Sequence, residues 1–252
     1  MIKKLLSIIL IVGFFSCDDS PVQASESTLA LLEKSRELQK RAEKLEQNVK
    51  ERQGYFDTPT SEQDLFANIK DDQFVNIEEL SNNFILDMKY ATSDNFLKEA
   101  VYTCAKCFVR GEVAKALIKA QKDLMRQGYR IKFFDCYRPH SVQKKMWKLV
   151  PDPGYVADPK GGSVHNRGAA LDITLTDLKG KELDMGTSFD HFGKEAAHSY
   201  TNLSAEVKEN RKLLRSTMEK YGFSTIRTEW WHYNFEGGKK YAVADFKWNC
   251  EN

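Results

Sequence analysis

The chain has 252 residues, of which 41% are hydrophobic, and its formal net charge is +2. This length suits one domain of ordinary size with additional segments. The small net charge gives no reason to expect a nucleic-acid partner, and an aromatic content of 12% excludes wholesale disorder.

Residues 1–17 predict an export signal. Lys3 and Lys4 are followed by an apolar stretch, Leu5–Phe15, that is too short to span a bilayer as a mature helix. Ser16 and Cys17 then resemble a lipoprotein cleavage box. We therefore expect an exported lipoprotein that is anchored through a lipid on Cys17 and faces the periplasm or the cell exterior. The alternative is plain secretion, in which Cys17 is lost or oxidised.

Residues 18–64 predict a helical stalk followed by a linker. Residues 25–56 are rich in Glu, Lys, Arg, Gln and Leu. Leucines recur there every seven residues, at Leu31, Leu38 and Leu45. About three heptads would allow weak self-association, but a lone or docked helix is favoured. Residues 57–64 are polar and predict the linker.

Residues 65–252 are expected to form the globular domain. Apolar patterns predict strands over residues 83–90, 129–136 and 170–176, and amphipathic helices over 112–127, 140–148 and 204–221. Two final segments, 223–227 and 230–235, are expected to pair as strands or as a hairpin. Prolines and glycines over 150–162 predict a loop that walls a site.

The cysteines predict disulfides rather than a second metal site. Cys104 and Cys107 form a Cys-x-x-Cys pair, and after an export signal a disulfide is the better interpretation. With Cys17 lipidated, four cysteines remain and allow three pairings. A bridge from Cys104 or Cys107 to Cys250 is expected, and a free, buried Cys136 is the alternative for that residue.

Two separated runs carry the chemistry. Residues 163–172 read Ser-Val-His-Asn-Arg-Gly-Ala-Ala-Leu-Asp, and residues 229–232 read Glu-Trp-Trp-His. Together they offer two imidazole nitrogens, one carboxylate and a spare carboxylate, from His165, His232, Asp172 and Glu229. A catalytic zinc site uses such a set, with an open position for water and a base beside it. The alternative is two unrelated strands whose histidines only form hydrogen bonds in the core.

The spacing within the second run makes a geometric demand. Glu229 and His232 are an odd number of residues apart, so on a regular strand they would point to opposite faces. Glu229 must therefore lie at the start of the strand or at a bulge if both side chains are to reach one zinc ion.

The position of Arg138 leaves two roles open. It follows a predicted strand and precedes Pro139, so its backbone is biased towards an extended conformation. Such an arginine either presents its guanidinium to a cleft or pairs with a nearby aspartate at the surface.

Four runs together resemble the D-alanyl-D-alanine dipeptidase family of zinc peptidases, whose relatives include D,D-carboxypeptidases. These runs are residues 137–139, 163–172, 185–190 and 229–232. The resemblance covers about residues 74–235. It implies an α+β fold with a small, mostly antiparallel sheet flanked by helices, here preceded by the N-terminal helical stalk.

The resemblance also implies roles for individual residues. One Zn²⁺ per chain would be held by His165, Asp172 and His232, with Glu229 as general base and acid. The substrate contacts would come from three further residues: Arg138 at the developing oxyanion, Asp190 at the free amino group, and Ser163 close to the substrate.

The expected function is hydrolysis of free D-Ala-D-Ala by a metal-activated water. A carboxylate at Asp190 would select dipeptides, because the amine of a longer peptide lies elsewhere. The alternative is a D,D-carboxypeptidase that trims terminal D-Ala from peptidoglycan stems, which a membrane tether would favour. A wall-binding protein without catalysis is a third hypothesis, and the complete ligand set argues against it.

Overall fold

A computed structural model describes residues 26–54 and 62–249, and the side chains of residues 29–44 and 65–249. The chain divides into an N-terminal unit, which holds most of the first helix, and a C-terminal unit, which holds the rest. The predicted signal, Cys17 and Cys250 lie outside the described residues. Within the described part of the chain, no helix combines the length and the apolar character needed to cross a membrane.

The predicted stalk is helical. Helix α1 runs over Glu26–Gly54. Its described side chains are exposed, including Leu31 at 68% and Leu38 at 56%. Arg41 forms an ion pair with Glu37 one turn earlier, at 2.8 Å, as expected for an i,i+4 pair on a helix surface. Self-association through the exposed leucines stays a prediction, which light scattering of the protein with and without residues 18–56 would test.

The predicted linker is wrong over its last three residues. Helix α2 runs over Glu62–Ala67 and so begins inside the segment expected to be a linker. The physical reason is the pair Leu65 and Phe66, which packs against the hydrophobic core and draws the preceding polar residues into the helix.

The C-terminal unit is an α+β domain, which confirms the predicted fold class. Its elements are β1 (Phe74–Asn76), β2 (Ile85–Leu86), β3 (Phe108–Arg110), α3 (Gly111–Gln127), β4 (Tyr129–Asp135), α4 (His140–Leu149), β5 (Ala170–Asp177), α5 (Ala205–Lys220), β6 (Phe223–Thr225) and β7 (His232–Phe235). The main sheet has five strands in the order β2-β4-β5-β7-β6, and β1 pairs separately with β3. All neighbours in both sheets are antiparallel except β2 and β4.

Helix α3 shows how local sequence produces its element. Val113, Leu117 and Leu124 recur at helical spacing and are fully buried, so one face of the helix joins the core. The helix ends where Gly128 adopts a left-handed conformation, with φ of 96°. That conformation is strained for residues with a Cβ, and glycine adopts it readily.

Strand β5 is the centre of the main sheet. Leu171, Ile173 and Leu175 fill one face of the strand, while Asp172 and Thr174 point to the other face, and all five are buried. Strands β4 and β7 pair with β5 along its two edges, and the side chains on both of its faces are buried. The buried polar face of β5 therefore opens into the interior of the protein, where a carboxylate needs partners.

The strand predicted over residues 83–90 is mostly wrong. Only Ile85 and Leu86 pair in the sheet, as β2. The Asp87 amide still donates to the Phe133 carbonyl, but residues Lys89–Ala91 then form a 3-10 turn. The Tyr90 carbonyl accepts hydrogen bonds from the backbone amides of residues 101 and 102, and not from a neighbouring strand. This departure from the sheet edge brings Tyr90 to the site described below.

One disulfide joins Cys107 to Cys136. Cys136 is therefore not the free thiol of the alternative interpretation, and Cys107 is not bridged to Cys250. Cys104 is disulfide-bonded as well. The Cys107–Cys136 bridge ties the segment before β3 to the residue that follows β4, and both sulfurs are in the buried core.

Candidate active site

Three donor atoms converge at one end of the central strands. The His165 Nε2 atom lies 3.2 Å from His232 Nδ1 and 3.4 Å from Asp172 Oδ1, and the His232 and Asp172 atoms are 3.0 Å apart. A tetrahedral ion with bonds of about 2.0 Å would hold its donors about 3.3 Å apart. The donor set and its spacing therefore fit a metal ion such as zinc, and these residues could hold one.

Strand register and a tight turn bring the three residues together. Asp172 in β5 lies directly opposite His232 in β7 across the antiparallel ladder. His165 opens a 3-10 turn, His165–Arg167, that Gly168 closes with φ of +70°. A Cβ at Gly168 would lie 2.3 Å from a ring atom of Phe74. Only glycine satisfies both the backbone conformation and this close contact.

Hydrogen bonds on the far side of each ring orient the two imidazoles. His165 Nδ1 lies 2.7 Å from the Cys136 carbonyl oxygen, so this nitrogen carries the proton and donates. His232 Nε2 donates to Asn234 Oδ1 at 3.0 Å by the same reasoning. The lone pairs of His165 Nε2 and His232 Nδ1 are thereby left facing Asp172. Such partners fix the tautomer that a metal ligand needs.

The electrostatics of Asp172 suit an ionised ligand. Burial by itself would raise the pKa of its carboxyl group, but positive charge on the neighbouring His165 and His232, when they are protonated in the absence of a metal ion, outweighs that effect and lowers the pKa below its ordinary value. Asp172 therefore remains a carboxylate.

Glu229 lies beside the three donors without joining them. Strand β7 begins at His232, so Glu229 precedes it and escapes the alternation of a regular strand. Its Oε2 atom is 4.0 Å from His232 Nδ1. Burial, the largest effect, raises the pKa of Glu229 to about 7. A carboxylate with a pKa near neutrality can both take up and return a proton at neutral pH.

Arg138 points into the cleft and pairs with a buried aspartate rather than with one at the surface. Its Nη2 and Nε atoms bind the Asp135 carboxylate at 2.7 and 2.9 Å, and Nη1 donates to Gln143 Oε1 at 3.0 Å. Asp172 Oδ2 lies 3.6 Å from Arg138 Nη2. The guanidinium is thus held rigidly next to the three donors.

Asp135 was not predicted as a site residue from the sequence. It is fully buried, accepts a hydrogen bond of 2.8 Å from the Tyr102 hydroxyl, and holds Arg138. Its strand position opposite Asp172 is set by an irregularity in the β4–β5 register after Phe133. The alternation of apolar residues gave no signal for it, because a bulge shifts which side chains face the site.

Asp190 presents a partly buried carboxylate to the same cleft. Its backbone has φ of +57°, and the Tyr90 hydroxyl donates to its Oδ2 atom at 3.0 Å. Burial and the negative charge of Asp172 raise the pKa of Asp190 well above its ordinary value. Among the described residues, no Lys or Arg forms an ion pair with it. A cation bound beside Asp190 would therefore restore its charged form.

The cleft that joins these groups has a volume of about 350 Å³. Its polar lining includes Ser163, whose hydroxyl accepts a hydrogen bond from the backbone N–H of Asn166 at 3.3 Å. Four aromatic side chains also line the cleft, from Phe96, Tyr155, Phe192 and Trp231. Residues 153–157 of the predicted wall loop do line this cleft.

Two further histidines lie apart from the three donors. His191 is within 3.2 Å of Glu195. His198 is largely buried, and burial together with the charges of Arg215 and Arg211 lowers its pKa to about 4.

His198 predicts a pH-dependent stability. Its folded-state pKa of about 4 lies below the ordinary 6.5, so the unfolded chain binds more protons between these values. The free energy of unfolding should therefore fall as pH decreases from 6.5 to 4, by about 1–2 kcal/mol after discounting for partial exposure. Urea unfolding at pH 7 and pH 4.5 measures the difference.

His198→Gln should remove this part of the pH dependence, while His191→Gln, on a partly exposed histidine, should keep it. Equal pH dependence in the unaltered protein and in the His198→Gln variant would contradict the prediction.

Comparisons with known proteins point to one family. A family model described as D-ala-D-ala dipeptidase matches residues 70–248. A D-alanyl-D-alanine dipeptidase of Escherichia coli K12 is 36% identical over 166 residues, which cover 66% of this chain and 86% of the relative. A D-alanyl-D-alanine dipeptidase of Enterococcus faecium is 33% identical over 184 residues, covering 64% of this chain and 90% of the relative.

Two solved structures show a weaker likeness. The LdcB LD-carboxypeptidase is 22% identical with a TM-score of 0.34, and the match covers 53% of this chain and 63% of that one. The vancomycin-resistance D,D-pentapeptidase VanY, solved with Zn(II), is 16% identical with a TM-score of 0.33, covering 53% and 78%. Both TM-scores are low, so the assignment rests on the sequence matches. Since the family model spans most of the chain, the protein belongs to the D-alanyl-D-alanine dipeptidase family.

Proposed function

We propose that the protein hydrolyses the dipeptide D-Ala-D-Ala to free D-alanine. The observation that carries this proposal is the convergence of His165, Asp172 and His232 within 3.4 Å of one another, with the unligated Glu229 beside them. The family relatives named above are dipeptidases for this substrate.

One zinc ion per chain would be held by His165 Nε2, Asp172 Oδ1 and His232 Nδ1. When bound, zinc supplies a Lewis acid that lowers the pKa of water to about 7 and polarises a carbonyl oxygen. The site suits this ion because its imidazoles already present lone pairs and its aspartate is ionised.

Other side chains of the cleft would transfer the proton and stabilise the oxyanion. Glu229 takes the proton of the attacking water and returns it to the leaving amine. Arg138, held by Asp135 and Gln143, offers its guanidinium to the oxyanion of the tetrahedral intermediate. Because Arg138 is positioned before the substrate arrives, little reorganisation is needed as the charge develops.

Asp190 and Tyr90 would receive the substrate's ammonium group. The partly buried carboxylate of Asp190 lacks a basic partner among the described residues, and the Tyr90 hydroxyl holds it in place at 3.0 Å. An ammonium ion at this point would form a charge-assisted hydrogen bond. A longer peptide carries no free amine at this distance from the scissile bond, so the contact selects dipeptides.

Purified protein should be assayed for release of free alanine, with an assay that detects both enantiomers, from D-Ala-D-Ala, from L-Ala-L-Ala and from a stem pentapeptide that ends in D-Ala-D-Ala. The proposal expects hydrolysis of the first substrate in preference to the other two. Faster release from the pentapeptide would instead establish the D,D-carboxypeptidase alternative. A protein that binds zinc but turns over none of the three would be the non-catalytic wall-binding protein.

Asp190→Asn should lower kcat/KM for D-Ala-D-Ala by roughly 10–100-fold, because a hydrogen bond between charged partners is lost. N-acetyl-D-Ala-D-Ala, which has no ammonium group, should be a poor substrate for the unaltered protein and should lose little further rate in the variant. Steady-state kinetics on both substrates measure the effect. An equal loss on the two substrates would show that Asp190 does not recognise the amine.

We also propose that the protein is exported and held at a membrane by a lipid on Cys17, near the cell wall. The support is the residue pattern of the first 17 positions. Cys17→Ser should abolish incorporation of labelled fatty acid and move the protein from the membrane fraction to the soluble fraction. A membrane fraction that is unchanged by the substitution would contradict lipidation.

A further inference from the structure

The cleft contains a basic side chain that the proposed chemistry does not use. Of the residues that line it, Arg138 and Lys239 carry a lysine or arginine side chain. Arg138 is already bound by Asp135 and Gln143. Lys239 is exposed, and among the described residues it forms no ion pair. Lys239 is thus the cation of the cleft that remains available to an anionic ligand.

The backbone of Lys239 is anchored to the segment that carries His165. Lys239 lies in the 3-10 turn Gly238–Lys240, after Gly237 with φ of +73°. A Cβ at Gly238 would lie 2.6 Å from Ala169 Cβ, so this turn packs directly against the residues behind the site. Arg167 also donates to the carbonyl groups of residues 239 and 241. The base of the lysine is therefore fixed, while its four-carbon stem can move.

The neighbouring lysine points elsewhere. The Lys240 Nζ atom lies 2.6 Å from Glu112 Oε2 on helix α3 and does not line the cleft. Two adjacent lysines thus have different surroundings, one paired at the surface and one at the cleft. This difference offers a matched pair for substitution.

The substrate chemistry supplies the anion. A free dipeptide carries an ammonium group at one end and a carboxylate at the other. The ammonium group is assigned to Asp190, which joins the cleft beside Tyr90. Lys239 lines the cleft beside Val164. Gly238, in the same turn as Lys239, packs on Val164. The carboxylate needs a positive partner, and the guanidinium of Arg138 is assigned to the oxyanion.

We propose that Lys239 binds the C-terminal carboxylate of the substrate and contributes to selection of a free C-terminus. This inference rests on the proposed dipeptidase function. An ammonium–carboxylate contact is a charge-assisted hydrogen bond, and at an exposed position it is screened by salt. Because the contact is the same in the ground state and the transition state, it acts on KM rather than on kcat.

The test compares Lys239→Met with Lys240→Met on D-Ala-D-Ala and on its C-terminal amide. Lys239→Met should raise KM for the free dipeptide about tenfold, with kcat unchanged, and should alter kinetics on the amide less than about twofold. Lys240→Met should leave both substrates unchanged, and Lys239→Arg should retain most of the discrimination. Raising the ionic strength should raise KM for the free dipeptide in the unaltered protein more than in Lys239→Met.

The outcomes separate the two proposals. Equal effects of Lys239→Met on the dipeptide and the amide, or equal effects of Lys239→Met and Lys240→Met, would overturn the carboxylate contact and leave the dipeptidase function intact. If the unaltered protein hydrolyses neither substrate, the proposed function falls, and this inference falls with it. Thermal unfolding of each variant identifies any loss of kinetics that comes from misfolding.

Discussion

Replacing Glu229 with glutamine is expected to lower kcat on D-Ala-D-Ala by roughly 10²–10⁴-fold while the zinc content is retained. Glutamine has nearly the same shape as glutamate, so the buried position stays filled, but its amide cannot accept the proton of the attacking water. Glu229 does not belong to the three donors that could hold the metal. Steady-state kinetics and metal analysis of the same preparation measure both parts of the prediction.

A matched control for this substitution is Glu236→Gln. Glu236 follows β7 and is exposed, so its loss should change neither turnover nor zinc content. A Glu229→Gln variant with a near-normal rate would remove Glu229 from the mechanism. A variant that loses zinc together with activity would instead indicate that Glu229 helps to hold the ion.

Replacing His165 with alanine should abolish both metal binding and turnover. His165 Nε2 is one of three donors that lie 3.0–3.4 Å apart, and without it only Asp172 and His232 of this set remain to hold the ion. Zinc at about 100 times its Kd should stabilise the unaltered protein by about 2.7 kcal/mol. It should have little such effect on the variant.

Thermal unfolding with and without added zinc provides a readout that does not depend on activity. His191→Ala, on the partly exposed histidine near Glu195, should respond to zinc as the unaltered protein does. Undiminished zinc stabilisation of His165→Ala would exclude His165 as a ligand.

The two substitutions separate holding the ion from moving the proton. Substitution of His165, Asp172 or His232 should lower the metal content. Substitution of Glu229 should lower turnover and leave the metal content unchanged. This division arises because Glu229 precedes β7, whereas His232 is its first residue. A change in the start of β7 would therefore affect both tasks at once.

The elements built from local contacts were predictable from the sequence. Helix α3 was expected over residues 112–127 and is found over Gly111–Gln127, ended by Gly128. The runs of residues 163–172 and 229–232 also contain all three candidate donors. Helical spacing, turn-forming glycines and donor residue types act over a few residues, so a single sequence displays them.

Other parts of the site were missed or mistaken because they depend on contacts distant in sequence. Tyr90 and Asp190 are one hundred residues apart and meet through one hydrogen bond. Tyr90 lay in a predicted strand that the chain leaves after Asp87. The partner of Cys136 was likewise uncertain among three pairings. The Tyr137 amide donates to the Phe108 carbonyl at 2.9 Å, and this contact brings Cys136 beside Cys107.

The sequence by itself therefore determined the family, the donor residue types, and most helices, since these follow from spacing and side-chain chemistry. Only the tertiary structure decided that Asp172 lies opposite His232, that Asp135 holds Arg138, and that Lys239 and Lys240 have different surroundings. Strand register and the packing of turns set these relations. A shift of one residue in register would turn each side chain to the opposite face.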